Sequence, residues 1–441
     1  MSGLKAFIAL FIFRYLRTVV SIFAYATYKP KPVLEKPTYT SDDVSVIIPT
    51  TFKTPDEIAH CVQRILGNRP AAIFMVTANI NVPLVESLVA IHTSTSTITV
   101  LGVDELNKRN QILKAMPLIK TKITVLADDD VFWPDNYLEY LLAIFEDPGV
   151  GAGGTRQRVR RNENPGSWNF LGISYLERRV WNNCATNAID GSISTLSGRT
   201  AAYRTDVIQK DEFYHYFTHD TWRGKPLNSD DDKCLTRWVY SNGHKIVLQF
   251  DSRAVIETTV EGDIKYLSQC MRWARAHWRG NFTVMENEQY WRSLRYIWGL
   301  YYIYISQFQT PALLIDGLLF FFLHLALEDA TLTTARIAYV VLAIWIIFTK
   351  NLKMIPHFRK YPQDLKFVPI GIVFSYFHGL INLWALFTMK TTHWGSQNLT
   401  SLQQSRADDA EVIPLLKNTI DEPTLGHDMI GDDYFAAEQT S

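Results

Sequence analysis

Apolar residues are bunched in this chain. The first 28 positions and positions 296–390 hold long apolar stretches, while the segment between has the mix of a water-soluble protein. Such a chain folds as a water-facing domain tied to membrane helices, because apolar runs of about 20 residues are the length a bilayer selects. The stretch 296–327 carries almost no charge beyond Asp316 and exceeds what one crossing needs. It reads as an interfacial helix followed by a crossing, or as two crossings turned around Gln309-Thr310-Pro311. Further crossings are expected at 337–348 with its flanks and at 367–389. Asp316, His324 and His378 are costly in lipid and are expected to face protein or a watery path, His324 alternatively at headgroup level. Lys350, Lys353, Arg359, Lys360 and Lys366 crowd one loop, whereas 328–334 is acidic. The positive-inside rule places the basic loop in the cytosol and the acidic one outside.

Lys5, Arg14 and Arg17 interrupt the first apolar segment, which lacks the clean core and cleavage site of a secretory signal. It crosses the bilayer with its arginines paired or snorkelling, or lies at the interface as a basic amphipathic helix. The proline-marked run 29–37 is a stiff linker.

From Asp43 the pattern changes to alternating strands and helices. Apolar runs at 44–48, 71–77, 97–102 and 123–127 read as strands, and 56–66, 83–92 and 106–118 as helices. This is the α/β pattern of a mostly parallel sheet with right-handed crossovers. Sheets of that kind bind ligands beyond their strand C-termini. Here those ends are Pro49-Thr50-Thr51, Thr77-Ala78-Asn79 and the triple acid Asp128-Asp129-Asp130. An extended backbone points Asp128 and Asp130 one way and Asp129 the other. Converging carboxylates suit a hard divalent ion that also touches phosphate oxygens.

Residues 151–270 are less regular. Gly151–Gly154 reads as a flexible turn, 156–161 is basic, and short strands are expected at 200–203, 246–250 and 254–258. The acids of 228–232 open a helix at 233–240, where capping alone would explain them. Residues 269–278 alternate cations and aromatics at helical spacing, a pattern that also serves as an interfacial anchor. Four scattered cysteines support neither a zinc site nor a disulfide framework and fit a reducing compartment. Lys+Arg and Asp+Glu both total 44, so no net charge argues for nucleic acid.

The ordered set VSVIIPT at 44–50, NKRNQ at 107–111, ADDD at 127–130, SGR at 197–199, DDKCLT at 231–236 and QCMRW at 269–273, followed by apolar spans, resembles the processive membrane-embedded family-2 glycosyltransferases, the group of hyaluronan, cellulose and chitin synthases. The resemblance covers roughly residues 40–400. It implies a GT-A-type glycosyltransferase domain, with a mostly parallel mixed sheet, attached to a small α-helical transmembrane bundle. It further implies that Asp128 and Asp130 hold Mg2+ or Mn2+ on the diphosphate of a UDP-sugar. Asp232, beside Asp231, would be the base that deprotonates the acceptor hydroxyl. Gln269 and Arg272 would contact the diphosphate, with Trp273 as the floor of the site for a polysaccharide acceptor. Lys108 and Arg109 would lie near the nucleotide, and Thr50 with Ser197, Gly198 and Arg199 would line the substrate site.

One departure stands out. Where the family carries an acidic DDGS-like turn, this chain reads Val76-Thr77-Ala78-Asn79, leaving Asn79 or Thr77 to meet uracil. Trp394-Gly395-Ser396 is similar to the family's WGT segment, which implies a cytosolic position. A single crossing at 367–389 would instead put it outside, so that segment re-enters or the crossings within 296–348 number differently. Glycosylation of the sequon at Asn398 would report an outside position, and the sequon at Asn281 is expected to stay silent. The expected layout is a membrane or interfacial helix with linker at 1–37, a cytosolic GT-A domain at 38–290, interfacial and transmembrane helices at 291–400, and a disordered acidic tail at 401–441. The expected setting is the plasma membrane, with the endoplasmic reticulum or Golgi as alternatives, and the residues fix no oligomeric state.

Overall fold

In the computed structural model, residues 2–92, 96–227 and 229–391 are described; the tail at 401–441, Trp394-Gly395-Ser396 and Asn398 lie outside the described residues. The four apolar runs that open the middle segment form β1 (Val44–Pro49), β2 (Ala72–Ala78), β3 (Thr97–Val103) and β4 (Ile123–Ala127). β1 pairs in parallel with β2 and β4, and β2 in parallel with β3. β1 and β4 are buried at every position, which is why they read as continuous apolar runs rather than alternating ones.

Three more strands extend the sheet past β4. They are β5 (Val150–Thr155), β6 (Thr200–Arg204) and β7 (Lys245–Gln249), giving the order β7-β5-β6-β4-β1-β2-β3. β6 runs antiparallel to both β4 and β5, while β5 and β7 are parallel. β5 corrects the expected flexible turn at Gly151–Gly154: these glycines lie in a buried strand. They are there because nothing larger fits. A Cβ on Gly153 would come within 2.0 Å of Ile144 Cδ1 and 2.4 Å of the Val247 carbonyl oxygen. A small second sheet places Ile256–Thr258 between Val131–Phe132 and Gln157–Val159. Its basic neighbours Arg158 and Arg160 are tied to Glu257. All four cysteines are buried and free.

Helix Ser167–Asp190 packs on this domain and faces the apolar helices. The N-terminal helix, Ser2–Ala26, ends there: Tyr25 stacks on Trp181 and the Tyr28 hydroxyl donates to the Leu248 carbonyl at 2.9 Å. Its start adjoins Leu325, so it runs antiparallel to helix Ala312–Ala326. Of its arginines, Arg14 is ion-paired and Arg17 is hydrogen-bonded to a neutral group. Arg14 meets Asp316 at 3.3 Å, Lys350 meets the same carboxylate at 3.2 Å, and Arg17 donates to Ser306 Oγ at 3.1 Å. A buried acid with two cations is tolerated in an apolar layer where a lone charge is not.

Among the described residues three helices are long and apolar enough to cross a membrane: Gly3–Ala26, Leu332–Lys360 and Pro362–Phe387. A fourth run breaks, Leu294–Gln309 meeting Ala312–Ala326 at 82°, with the turn at Thr310-Pro311. Helix Val368–Phe387 has both ends on the α/β domain. Phe367 stacks on Phe170 at its start, and at its finish Arg275 donates to Thr388 Oγ1 at 3.0 Å. Its outer face exposes Ile370, Val373, Phe377, Leu380, Trp384 and Phe387.

Candidate active site

The C-terminal ends of β1 and β2 are stitched together by Gln111, whose amide donates to the Thr50 carbonyl at 3.0 Å and the Val76 carbonyl at 2.6 Å. Beyond them opens a cavity of about 990 Å³. Asp129 accepts from Thr50 Oγ1 at 2.5 Å, and Asp128, Asp129 and Asp130 all line the cavity. Asp128 accepts from Lys108 Nζ at 2.5 Å, and Asp130 from Thr259 Oγ1 at 3.2 Å. Removal from water, followed by the charges of Asp128 and Asp129, pushes the Asp130 carboxyl up to about 7. Burial likewise raises Asp129 to about 6.

The second acid pair comes from helix Asp231–Ser241. Its cap, Asp230, is held at φ +64°, a conformation a non-glycine residue keeps only when its surroundings enforce it. The enforcer is Arg279, which grips Asp230 through Nε at 2.8 Å and Nη2 at 3.0 Å. Asp231 then stands 3.5 Å from the Lys108 amine, so Lys108 bridges the two acid groups. Burial alone would lower the Lys108 pKa, but Asp128 and Asp231 outweigh it and raise it. Asp232 takes the Lys233 backbone N–H at 2.8 Å on one oxygen. Burial and then Asp231 raise its pKa. Gly198 approaches closely, since a Cβ there would meet Lys108 Nζ at 3.1 Å and Asp232 Cβ at 3.5 Å.

Helix Lys265–Asn287 supplies the opposite wall with Gln269, Arg272 and Trp273. Trp273 stacks on Tyr175, centroids 5.0 Å apart and planes 18° from parallel, and Arg199 lies 5.3 Å from its ring. Gln269 Oε1 is buried without a protein partner, as expected of an atom waiting for a substrate hydroxyl or amide. The same helix buries Asn281, whose side-chain nitrogen is bound to Gln307 at 2.9 Å, which leaves no room for a glycan.

One cavity thus collects Thr50, Lys108, Asp128, Asp130, Asp231 and Asp232 with the SGR and QxxRW residues. Two named residues stand elsewhere. Arg109 turns inward to the Phe217 and Ser229 carbonyls and to Asp220 at 2.9 Å, so it braces the loop before the acid pair. Asn79 donates to Asp104 at 2.7 Å and does not line the cavity.

Residues 42–276 match the family described as "Glycosyltransferase like family 2". A "Type 2 glycosyltransferase" of Zymoseptoria tritici is 43% identical over 93% of this chain and 86% of its own length. The chain belongs to glycosyltransferase family 2. A protein of the same description from Gibberella zeae is 40% identical over 89% of this chain and 76% of its own. A hyaluronan synthase of Streptococcus pyogenes is 23% identical over 64% of the chain and 63% of its own. The fold of this glycosyltransferase is GT-A-like: a mannosyltransferase from Pyrobaculum calidifontis, solved with GDP-Man and Mn2+, superposes with a TM-score of 0.54 at 18% identity, covering 86% of this chain and 98% of that one.

Among the described residues no three His, Cys, Asp or Glu side chains form a ready-made metal cage. The donor set nevertheless fits a Mg2+-type ion, which takes one or two carboxylates and completes its shell with water and substrate phosphate. A cation there would also favour the ionised form of Asp130 against its burial and its neighbours' charges.

Several cavity residues were not anticipated. Tyr175, Arg178, Arg179, Asn182 and Thr186 come from helix Ser167–Asp190. Their three- and four-residue spacing is a polar helical face, the one signal that could have exposed them. Gln111, Arg17, Lys353 and His277 also line the cavity.

Proposed function

We propose that this family-2 enzyme is an inverting, metal-dependent transferase that moves sugar from a UDP-sugar onto a growing polysaccharide and passes the chain toward the membrane. The observation that carries the reading is the meeting of Asp128, Asp232 and Trp273 in one cavity that continues to the broken helix at Ser306 and Thr310. In this scheme Asp128 and Asp130 would hold a divalent ion, whose charge would offset the negative charge of a departing diphosphate. Arg272 offers a second positive group on that side. The acceptor sugar lays its apolar face on Trp273. Asp232 takes the proton of the attacking hydroxyl, whose oxygen bonds to the anomeric carbon as the bond to the diphosphate breaks and UDP departs. A raised pKa makes Asp232 a stronger base than a surface carboxylate.

The basic loop lies on the same side as the α/β domain, with the Lys353 amine on Asn182 and Arg161 paired to Asp364 at 2.8 Å. That supports a cytosolic catalytic domain in a multi-pass protein of the plasma membrane, endoplasmic reticulum or Golgi. A panel of UDP-sugars, read by UDP release and product length, tests the scheme. Asp232→Asn and Asp128→Asn are expected to lower transfer about 10²-fold or more while thermal unfolding stays near wild type. Full activity in Asp232→Asn would remove the base. A second reading, single transfer to a lipid, is favoured by the charged membrane end of the cavity and predicts a product of one added sugar.

A further inference from the structure

The cavity has two electrostatically different ends. Every acidic residue that lines it, Glu261 apart, comes from the two acid triplets at 128–130 and 230–232. Toward the membrane helices the wall is formed by Arg17, Arg178, Arg179 and Lys353, with Ser306, Gln307 and Asn182 between them. Arg17 and Arg178 both repel the Lys353 amine. The hydrogen bonds that hold these side chains go to neutral groups: Arg17 to Ser306 Oγ, Arg178 to the Ser174 carbonyl at 3.0 Å, Lys353 to Asn182 Oδ1. Among the described residues none of the four has a carboxylate within ion-pairing distance. The positive field reaches His277, whose pKa is pushed down to about 3 by burial and then by Lys233 and Arg179.

Clustered cations without counter-charge are unfavourable in a partly dry cavity, and two other clusters in this molecule are neutralised. Arg14 and Lys350 share Asp316, and Arg158 and Arg160 share Glu257. Where the cavity meets the helices, Arg17, Arg178 and Lys353 have no such carboxylate among the described residues. Arg179 also faces the donor side, where its charge acts on Asp232 and Arg199, whereas the charges that act on the Lys353 amine are those of Arg17, Arg178 and Arg14. Arg17 belongs to the N-terminal apolar helix and Lys353 follows helix Leu332–Asn351. Both belong to segments long and apolar enough to cross a membrane, which brings this end of the cavity within reach of lipid.

We infer that the Arg17, Arg178, Arg179 and Lys353 end of the cavity binds the phosphate of an anionic lipid headgroup, so that the acceptor side of the site is loaded from the bilayer. This rests on the glycosyltransferase reading of the cavity and names the chemistry of its second ligand. Detergent-purified full-length protein is titrated with fluorescent short-chain phosphatidic acid, with unlabelled phosphatidylcholine, inorganic phosphate and a uronate oligosaccharide as competitors. Phosphatidic acid is expected to bind at least tenfold more tightly than the neutral lipid competes. Arg17→Gln with Lys353→Gln should weaken it at least tenfold, and Arg17→Lys with Lys353→Arg should restore it. Equal competition by phosphatidylcholine or by inorganic phosphate overturns the headgroup assignment, as does tighter binding of the uronate. UDP release is read separately on the same wild-type preparation. Its absence with every donor would sink the transferase reading while leaving the lipid result standing, and release without lipid discrimination would do the reverse.

Discussion

Asp232 sits on the first turn of its helix with one oxygen on a backbone N–H and the other free for the cavity, and its basicity is set by its neighbour. Because burial and then Asp231 raise its pKa, it stays protonated at a pH where an ordinary carboxylate has ionised. The acidic limb of kcat/KM is therefore expected at higher pH than that of a surface aspartate. Asp231→Asn removes one of the two causes and makes the ionised form easier to reach. On the rate that remains, the acidic limb should move to lower pH. An unmoved limb would show that another group controls it. Arg109 teaches the opposite lesson at this scale. A basic residue beside Lys108 in sequence points one helical step away and braces a loop, so adjacency in the motif did not mean adjacency in the site.

Strand β5 is the element most sensitive to a single atom. Gly153→Ala puts a methyl against the Val247 carbonyl, which is backbone and cannot rotate away. A loss of about 2–3 kcal/mol is expected, read as a lowered denaturation midpoint; an unchanged midpoint would mean β5 and β7 can separate freely. The same atom explains what was legible. β1 to β4 are spelled in apolar β-branched runs with polar ends, and each was found within a residue or two. β5 is spelled VGAGGT, which reads as a turn because the strand is specified by close approach to Ile144 and Val247, not by its own side chains. Helix Ser167–Asp190 was missed because it is buried among two domains' worth of neighbours and carries no single apolar stripe. With it went six residues of the cavity wall. The donor-side acids were legible because strand ends announce them. The basic membrane end was not, since Arg17, Arg178 and Lys353 lie far apart in sequence.

For the whole molecule the arrangement of helices predicts an orientation. The N-terminal helix runs toward the α/β domain, Ala312–Ala326 runs away from it, and Leu332–Asn351 returns. Val368–Phe387 then begins and ends on the domain. A tag at the N-terminus should be shielded from protease in sealed vesicles with the catalytic side out, and a tag fused after Thr391 should be cut. Equal protection of both would mean that Val368–Phe387 crosses.

That last helix has a mechanical consequence. Its apolar outer face runs its full length, while its inner face is bolted to the domain through Trp278, Arg275 and Arg279. Lying along the near leaflet, as the tag experiment tests, it would hold the cavity at a fixed depth measured from that leaflet alone. Bilayers of different thickness would tilt or stretch the crossing helices without moving the sugar-transfer site relative to the surface it works beside.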